Sequence, residues 1–146
     1  MKRILIVLTL LTGIPITGNA QSHINYEEMV GFGCAFGGEP SKSVKKVSKL
    51  IDKEKYDKIV KLLDSDNNAE RFLAVVVCEK LSELKKLAIS DELKDKISII
   101  YKSNAFVSVC SGCTYWDNLT LKKMLESENS MRISANYWLE HKFKTK

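Results

Sequence analysis

The chain has 146 residues, 45% of them hydrophobic and 28% charged, with a formal net charge of +5. That length is enough for one domain with one core. Lys alternates with Asp and Glu through residues 42–96, so no large one-sign field marks a nucleic-acid partner.

The first twenty residues read as a secretory signal peptide. Lys2 and Arg3 form a short positive start, Ile4 to Leu11 form an apolar run, and Gly18-Asn19-Ala20 puts small residues before a cleavage site. Gly13 and Pro15 break a helix ahead of that site. The apolar run is far shorter than the roughly 20 residues a membrane span needs. Gln21, not Cys, follows the small residues, so no lipid attachment is expected. The mature chain is expected to begin near Gln21, to be secreted or periplasmic, and to carry no membrane span. Loss of Lys2 and Arg3 lowers the formal charge from +5 to +3.

Residues 21–40 form a Gly/Cys-rich segment. Gly31-Phe32-Gly33-Cys34-Ala35-Phe36-Gly37-Gly38-Glu39-Pro40 carries four of the seven glycines. Such a stretch favours turns over helix, while its two Phe favour burial. It is expected to lie as a loop or short extended piece on a helical body. No Lys-Ser/Thr follows the glycines, as a phosphate-binding loop would require.

Helical spacing begins at Ser41 and defines the domain 41–146. Val44, Val47, Leu50 and Ile51 predict a first helix; Tyr56, Ile59, Val60, Leu62 and Leu63 predict a second. Asp64 to Asn68 is a turn, and Asn67 with Glu70 three residues later fits a capping box. Residues 69–84 predict the central helix, because Phe72 to Cys78 is apolar without a break. Ser90 is expected to cap a fourth helix with Leu93, Ile97, Ile100 and Tyr101 on one face, and Asp91 and Glu92 in its first turn. Residues 103–116 read either as a short helix or as an extended piece. Asp117 or Asn118 is expected to cap a fifth helix holding Leu121, Met124 and Leu125. A last helix is expected from Met131 to about Lys142, with Ile133, Tyr137 and Trp138 inward. The basic end, His141 to Lys146, reads as solvated.

Leu62-Leu63, Arg71, Ala74 and Leu81 surround a polar turn in a pattern that resembles a HEAT-type helical repeat over residues 62–81. The turn Asp of that family falls on Ser65, between Asp64 and Asp66. The resemblance implies antiparallel helix pairs. Val30-Gly31-Phe32-Gly33-Cys34 and Val107-Ser108-Val109-Cys110-Ser111-Gly112-Cys113 are also similar to segments of small exported proteins, of unassigned activity, from Bacteroidetes-type bacteria. That resemblance implies an envelope location. The fold class expected from all these signals is all-α: five or six short helices in antiparallel HEAT-like pairs, with a Gly-rich non-helical N-terminal segment.

Four cysteines, an even number in a chain read as exported, favour disulfides. Of the three pairings, Cys110–Cys113 with Cys34–Cys78 is preferred; it would pin the glycine-rich segment onto the central helix. An inert buried thiol is the other reading of Cys78. Cys110-Ser111-Gly112-Cys113 also has a redox reading, with Cys110 as nucleophile and Cys113 as resolver. Against it stand the lack of a βαβ pattern and of nearby Lys, Arg or His. Four-cysteine zinc is disfavoured by the isolation of Cys34 and Cys78, and haem attachment would need His where Thr114 stands. His23 and His141 lie near the termini and read as solvated, so no hydrolase triad is expected. Asn118-Leu119-Thr120 is a glycosylation sequon, relevant only in a eukaryotic host. No cofactor is expected, and a protein partner is possible. The leading expectation is a non-catalytic binding or structural module of the cell envelope, using a helical face and the aromatics Tyr115 and Trp116. The alternative is a thiol–disulfide oxidoreductase acting through Cys110 and Cys113.

Overall fold

A computed structural model describes residues 23–144. The expected signal segment, the cleavage site at Gln21 and the last two residues lie outside the described residues. Ser41 caps α1 (Lys42–Asp52), its Oγ accepting from the Val44 N–H, and Val44, Val47 and Ile51 point inward as their spacing requires. α2 (Tyr56–Lys61) runs into a single 3-10 turn at Leu62–Asp64. Asn67 then caps α3 (Asn68–Glu83), with Oδ1 accepting from the N–H groups of Ala69 and Glu70.

Every residue of α3 from Phe72 to Cys78 is buried. A helix apolar on all sides has to be surrounded by protein. It is: α3 packs against α1, α2, α4 (Asp91–Tyr101), α5 (Leu121–Leu125), α6 (Ser130–Lys144) and a β-strand. Its one buried charge, Glu70, is compensated by Ser65, which donates to Oε2, and by the Lys46 ammonium from α1. Asp64 is engaged by Lys96 of α4 at 2.8 Å, and Arg71 donates to Asn68 Oδ1 at 3.2 Å.

The all-α expectation is overturned by a three-stranded mixed sheet. β1 (Met29–Val30) runs parallel to β2 (Phe106–Ser111), and β2 runs antiparallel to β3 (Tyr115–Thr120). The fold is therefore mixed α/β, with six helices, among the described residues, around and beside a small sheet. Two forces decide for strand over residues 103–116, where the sequence allows a short helix or an extended piece. Val107 and Val109 bury one face of β2 in the core, while the N-terminal segment covers Ser108 and Cys110 on the other. A strand covered on both faces loses the alternating pattern that would betray it. Gly112, left-handed at φ 60°, opens the tight turn between β2 and β3.

Two further expectations change. Asp117 and Asn118 are strand residues, and the cap of α5 is Thr120, whose Oγ1 accepts from the Lys123 N–H. In α6 the inward residues are Met131, Ala135 and Leu139. Ile133 and Tyr137 are 55% and 65% exposed, while Trp138 packs at the core edge against Phe32. α6 packs on α3, with Ala135 fully buried. A half-buried network locks the result: Arg132 of α6 bonds Glu79 of α3 at 2.7 Å, and Tyr101 of α4 donates to the same carboxylate at 2.7 Å.

Candidate functional site

The four cysteines are placed differently from the expected pairing. Cys34 bonds to Cys110, with Cα atoms 5.6 Å apart and a sequence separation of 76. Cys78 and Cys113 are free. The correction follows from the sheet. Parallel pairing of β1 with β2 carries the glycine-rich segment along β2. Cys34 then stands opposite Gly112, with the Ala35 N–H donating to the Gly112 carbonyl and the Gly112 N–H to the Gly33 carbonyl, both at 2.9 Å. Cys34 thus reaches Cys110 from the same side. Cys78 sits inside α3, out of reach, and burial followed by the neighbouring Glu79 pushes its thiol up to about 12.

Cys113 is exposed at the tip of the hairpin. Cys110 lies in the middle of a strand with no helix N-terminus to stabilise a thiolate, so the feature that activates a Cys-x-x-Cys pair is missing. Among the described residues, no group of three or more His, Cys, Asp or Glu could hold a metal.

The outer face of the sheet carries a cleft that no spacing in the sequence announces. Residues 23–28 cross the outer face of β2 and β3, the face carrying Phe106, Ser108 and Asn118. Asn25 starts the crossing by folding the chain back on itself: its Oδ1 accepts from the N–H groups of Glu27 and Glu28. The crossing is fastened at four points. The Asn25 N–H donates to Ser108 Oγ at 2.8 Å, and Asn118 Nδ2 donates to the His23 carbonyl at 3.4 Å. Asn67 Nδ2 donates to the Glu27 carbonyl at 3.0 Å, and the Tyr26 ring meets Trp116 edge-on at 5.7 Å.

Between this segment and the sheet lies a cleft of about 530 Å³. Its floor is the cross-strand rung Ser108–Asn118, where the buried Ser108 hydroxyl donates to Asn118 Oδ1 at 2.6 Å. That bond fixes which way the Asn118 amide points, with its NH₂ end away from the serine. Phe106, 66% exposed, stands one rung along on the same face. Glu28 and Asp117 line the walls, and among the described residues no Lys or Arg does. Asp117 already accepts from the Asn118 N–H at 2.8 Å and from the Tyr115 hydroxyl at 3.3 Å.

Tyr115 and Trp116, singled out by their place beside the cysteines, flank the cleft rather than line it. Tyr115 is 43% exposed; Trp116 is half-buried under Tyr26. His23 lies exposed at the cleft mouth, and His141 is exposed on α6 with its ring 4.5 Å from that of Tyr137. Of the residues that build the cleft, the sequence marks neither Asn25 nor Ser108 as a site residue, and it marks Asn118 only as a cap or glycosylation residue. The one available signal was the phase of Phe106, Ser108 and Cys110 against Val107 and Val109. No protein-family model matches the chain, and no curated protein or solved structure is significantly similar to it.

Proposed function

We propose that this chain is a non-catalytic binding module that works outside the cytosol, in the periplasm or the extracellular space, and presents the cleft on its sheet to a ligand. The observation that carries this reading is the Cys34–Cys110 bridge, which ties to β2 the glycine-rich segment that continues from residues 23–28. A bridge of this kind persists where thiols are oxidised. The signal-like first twenty residues point the same way. No helix among the described residues is long and apolar enough to cross a membrane.

The thiol–disulfide reading of Cys110 and Cys113 has less support. Cys110 is engaged with Cys34 and fully buried, whereas an exchanging nucleophile needs access and a lowered pKa. The test is the reduction potential of the Cys34–Cys110 pair in protein recovered from its own compartment. A value below about −300 mV marks a structural bridge and supports the binding module; one near −200 mV marks an exchanging pair and overturns it.

A further inference from the structure

We infer that the cleft between residues 23–28 and the β2–β3 face binds a neutral carbohydrate, one or two sugar rings long. This rests on the binding-module reading and names its ligand class. Three observations carry it.

The first is size. At about 530 Å³ the cleft falls within the range of small-ligand sites, and it is open along one side, as a chain-like ligand needs.

The second is charge. The protein carries an excess of Lys and Arg, yet among the described residues neither lines this cleft, and its charged walls are Glu28 and Asp117. Phosphates, sulfates and carboxylates are therefore repelled. Asp117 is satisfied by its own neighbours, and Glu28 lines the wall as a further acceptor. Acceptors of this kind suit hydroxyl donors.

The third is the pairing of a fixed amide with a bare ring. Ser108 holds the Asn118 carbonyl oxygen, so the NH₂ group is presented in one orientation; one of its hydrogens goes to the His23 carbonyl at 3.4 Å and the other is left to donate to a ligand oxygen. Phe106 exposes its ring one rung away. A sugar ring has an apolar C–H face and an equator of hydroxyls. It can lay that face on Phe106 while its hydroxyls meet Asn118 and Glu28. The buried Ser108 has its bonds filled by Asn25 and Asn118, so it positions the site without competing for the ligand.

The test is a titration of the ¹⁵N-labelled protein with cellobiose, maltose and diacetylchitobiose, with spermidine and inorganic phosphate run alongside. At least one disaccharide is expected to shift the Asn118 side-chain amide together with the backbone signals of Phe106 and Ser108, saturating in the millimolar range. Phe106→Ala removes a ring that contributes little to the core, so its melting temperature should stay near that of the wild type while its affinity falls about tenfold, or ~1.4 kcal/mol. Asn118→Asp is expected to weaken binding as well. Hydrolysis of a bound disaccharide during the titration would overturn the non-catalytic reading and support the ligand class. No shift with any of the three disaccharides overturns the inference. So does a response confined to spermidine or phosphate, or unchanged affinity in Phe106→Ala.

Discussion

Gly31 and Cys110 meet with no room for a side chain between them. A Cβ on Gly31 would overlap the Sγ atoms of both Cys110 and Cys34 and stand 2.9 Å from the Cys110 carbonyl oxygen. Gly31 also holds its neighbours: its N–H donates to Ser41 Oγ at 3.2 Å and its carbonyl accepts from the Ser41 N–H at 2.9 Å. The disulfide therefore rests on backbone that is pinned to the first helix cap. Gly31→Ala has to displace either the bridge or β1. It is expected to destabilise by about 2–4 kcal/mol, comparable with loss of the bridge itself. Cys113→Ser is expected to change stability by less than about 0.5 kcal/mol, because it is exposed and unbridged. Urea midpoints of the oxidised proteins decide both. A costly Cys113→Ser beside a neutral Cys34→Ser would contradict the pairing.

Three helices converge on Glu79. Arg132 and Tyr101 both bond its carboxylate, and the Arg132 and Glu79 side chains are 16% and 26% exposed. Arg132→Met leaves that carboxylate half-buried without its cation. The expected loss is about 1–3 kcal/mol, less than for a fully buried pair because solvent screens part of the charge. The double variant Glu79→Gln, Arg132→Met should lose less than the sum of the two single changes, with a coupling above about 0.5 kcal/mol. Strict additivity in thermal melts would remove the network from the account of α6 docking.

Alkali should unfold the protein earlier than its lysines alone require. Burial, with Glu79 second, raises the Cys78 thiol from 9.0 to about 12. Burial, then the hydrogen bond and charge of Glu79, raise Tyr101 from 10.0 to about 12. Both groups bind their protons more tightly when folded. Their contribution is complete below about pH 9 and is lost as pH rises from there toward 12, since the unfolded chain releases those protons first. Cys78→Ala is expected to be less stable than wild type at neutral pH by about 1 kcal/mol, with the gap closing as pH rises. Parallel stability curves from pH 8 to 11 would show that the thiol releases its proton at the same pH in both states, and that burial does not raise it.

Much of the helical frame was legible because its signals are local. Ser41, Asn67 and Ser90 cap where their side chains predict, and the unbroken run Phe72–Cys78 marks the helix that everything else covers. The sheet was hidden for the opposite reason. β1 is two residues long, and its partners Ser108 and Val109 lie far along the chain. The core covers one face of β2 and the Asn25 segment the other, so polar and apolar residues there do not alternate. Asp117 and Asn118 have the chemistry of cap residues, and only strand pairing with Val109 and Ser108 gives them another role. The cysteine count implied a bridge, but a parallel register chose its ends, and register is a property of the assembled sheet. The cleft shares that origin. Asn25, Ser108 and Asn118 come from separated segments and carry no motif between them.

The bridge passes over a cysteine. In chain order Cys34 meets Cys78 before Cys110, so its first available partner is the wrong one. What keeps them apart in the finished molecule is the closure of protein around α3. Correct oxidation then becomes a matter of timing, with the helix having to sequester its thiol before oxidant arrives. Oxidative refolding of the wild type should pass through a Cys34–Cys78 species, trapped by alkylation and visible by mass mapping, that Cys78→Ala cannot form. If both proteins regain the native bridge at the same rate, the helix closes first, and the burial of Cys78 acts as a guard on the pairing.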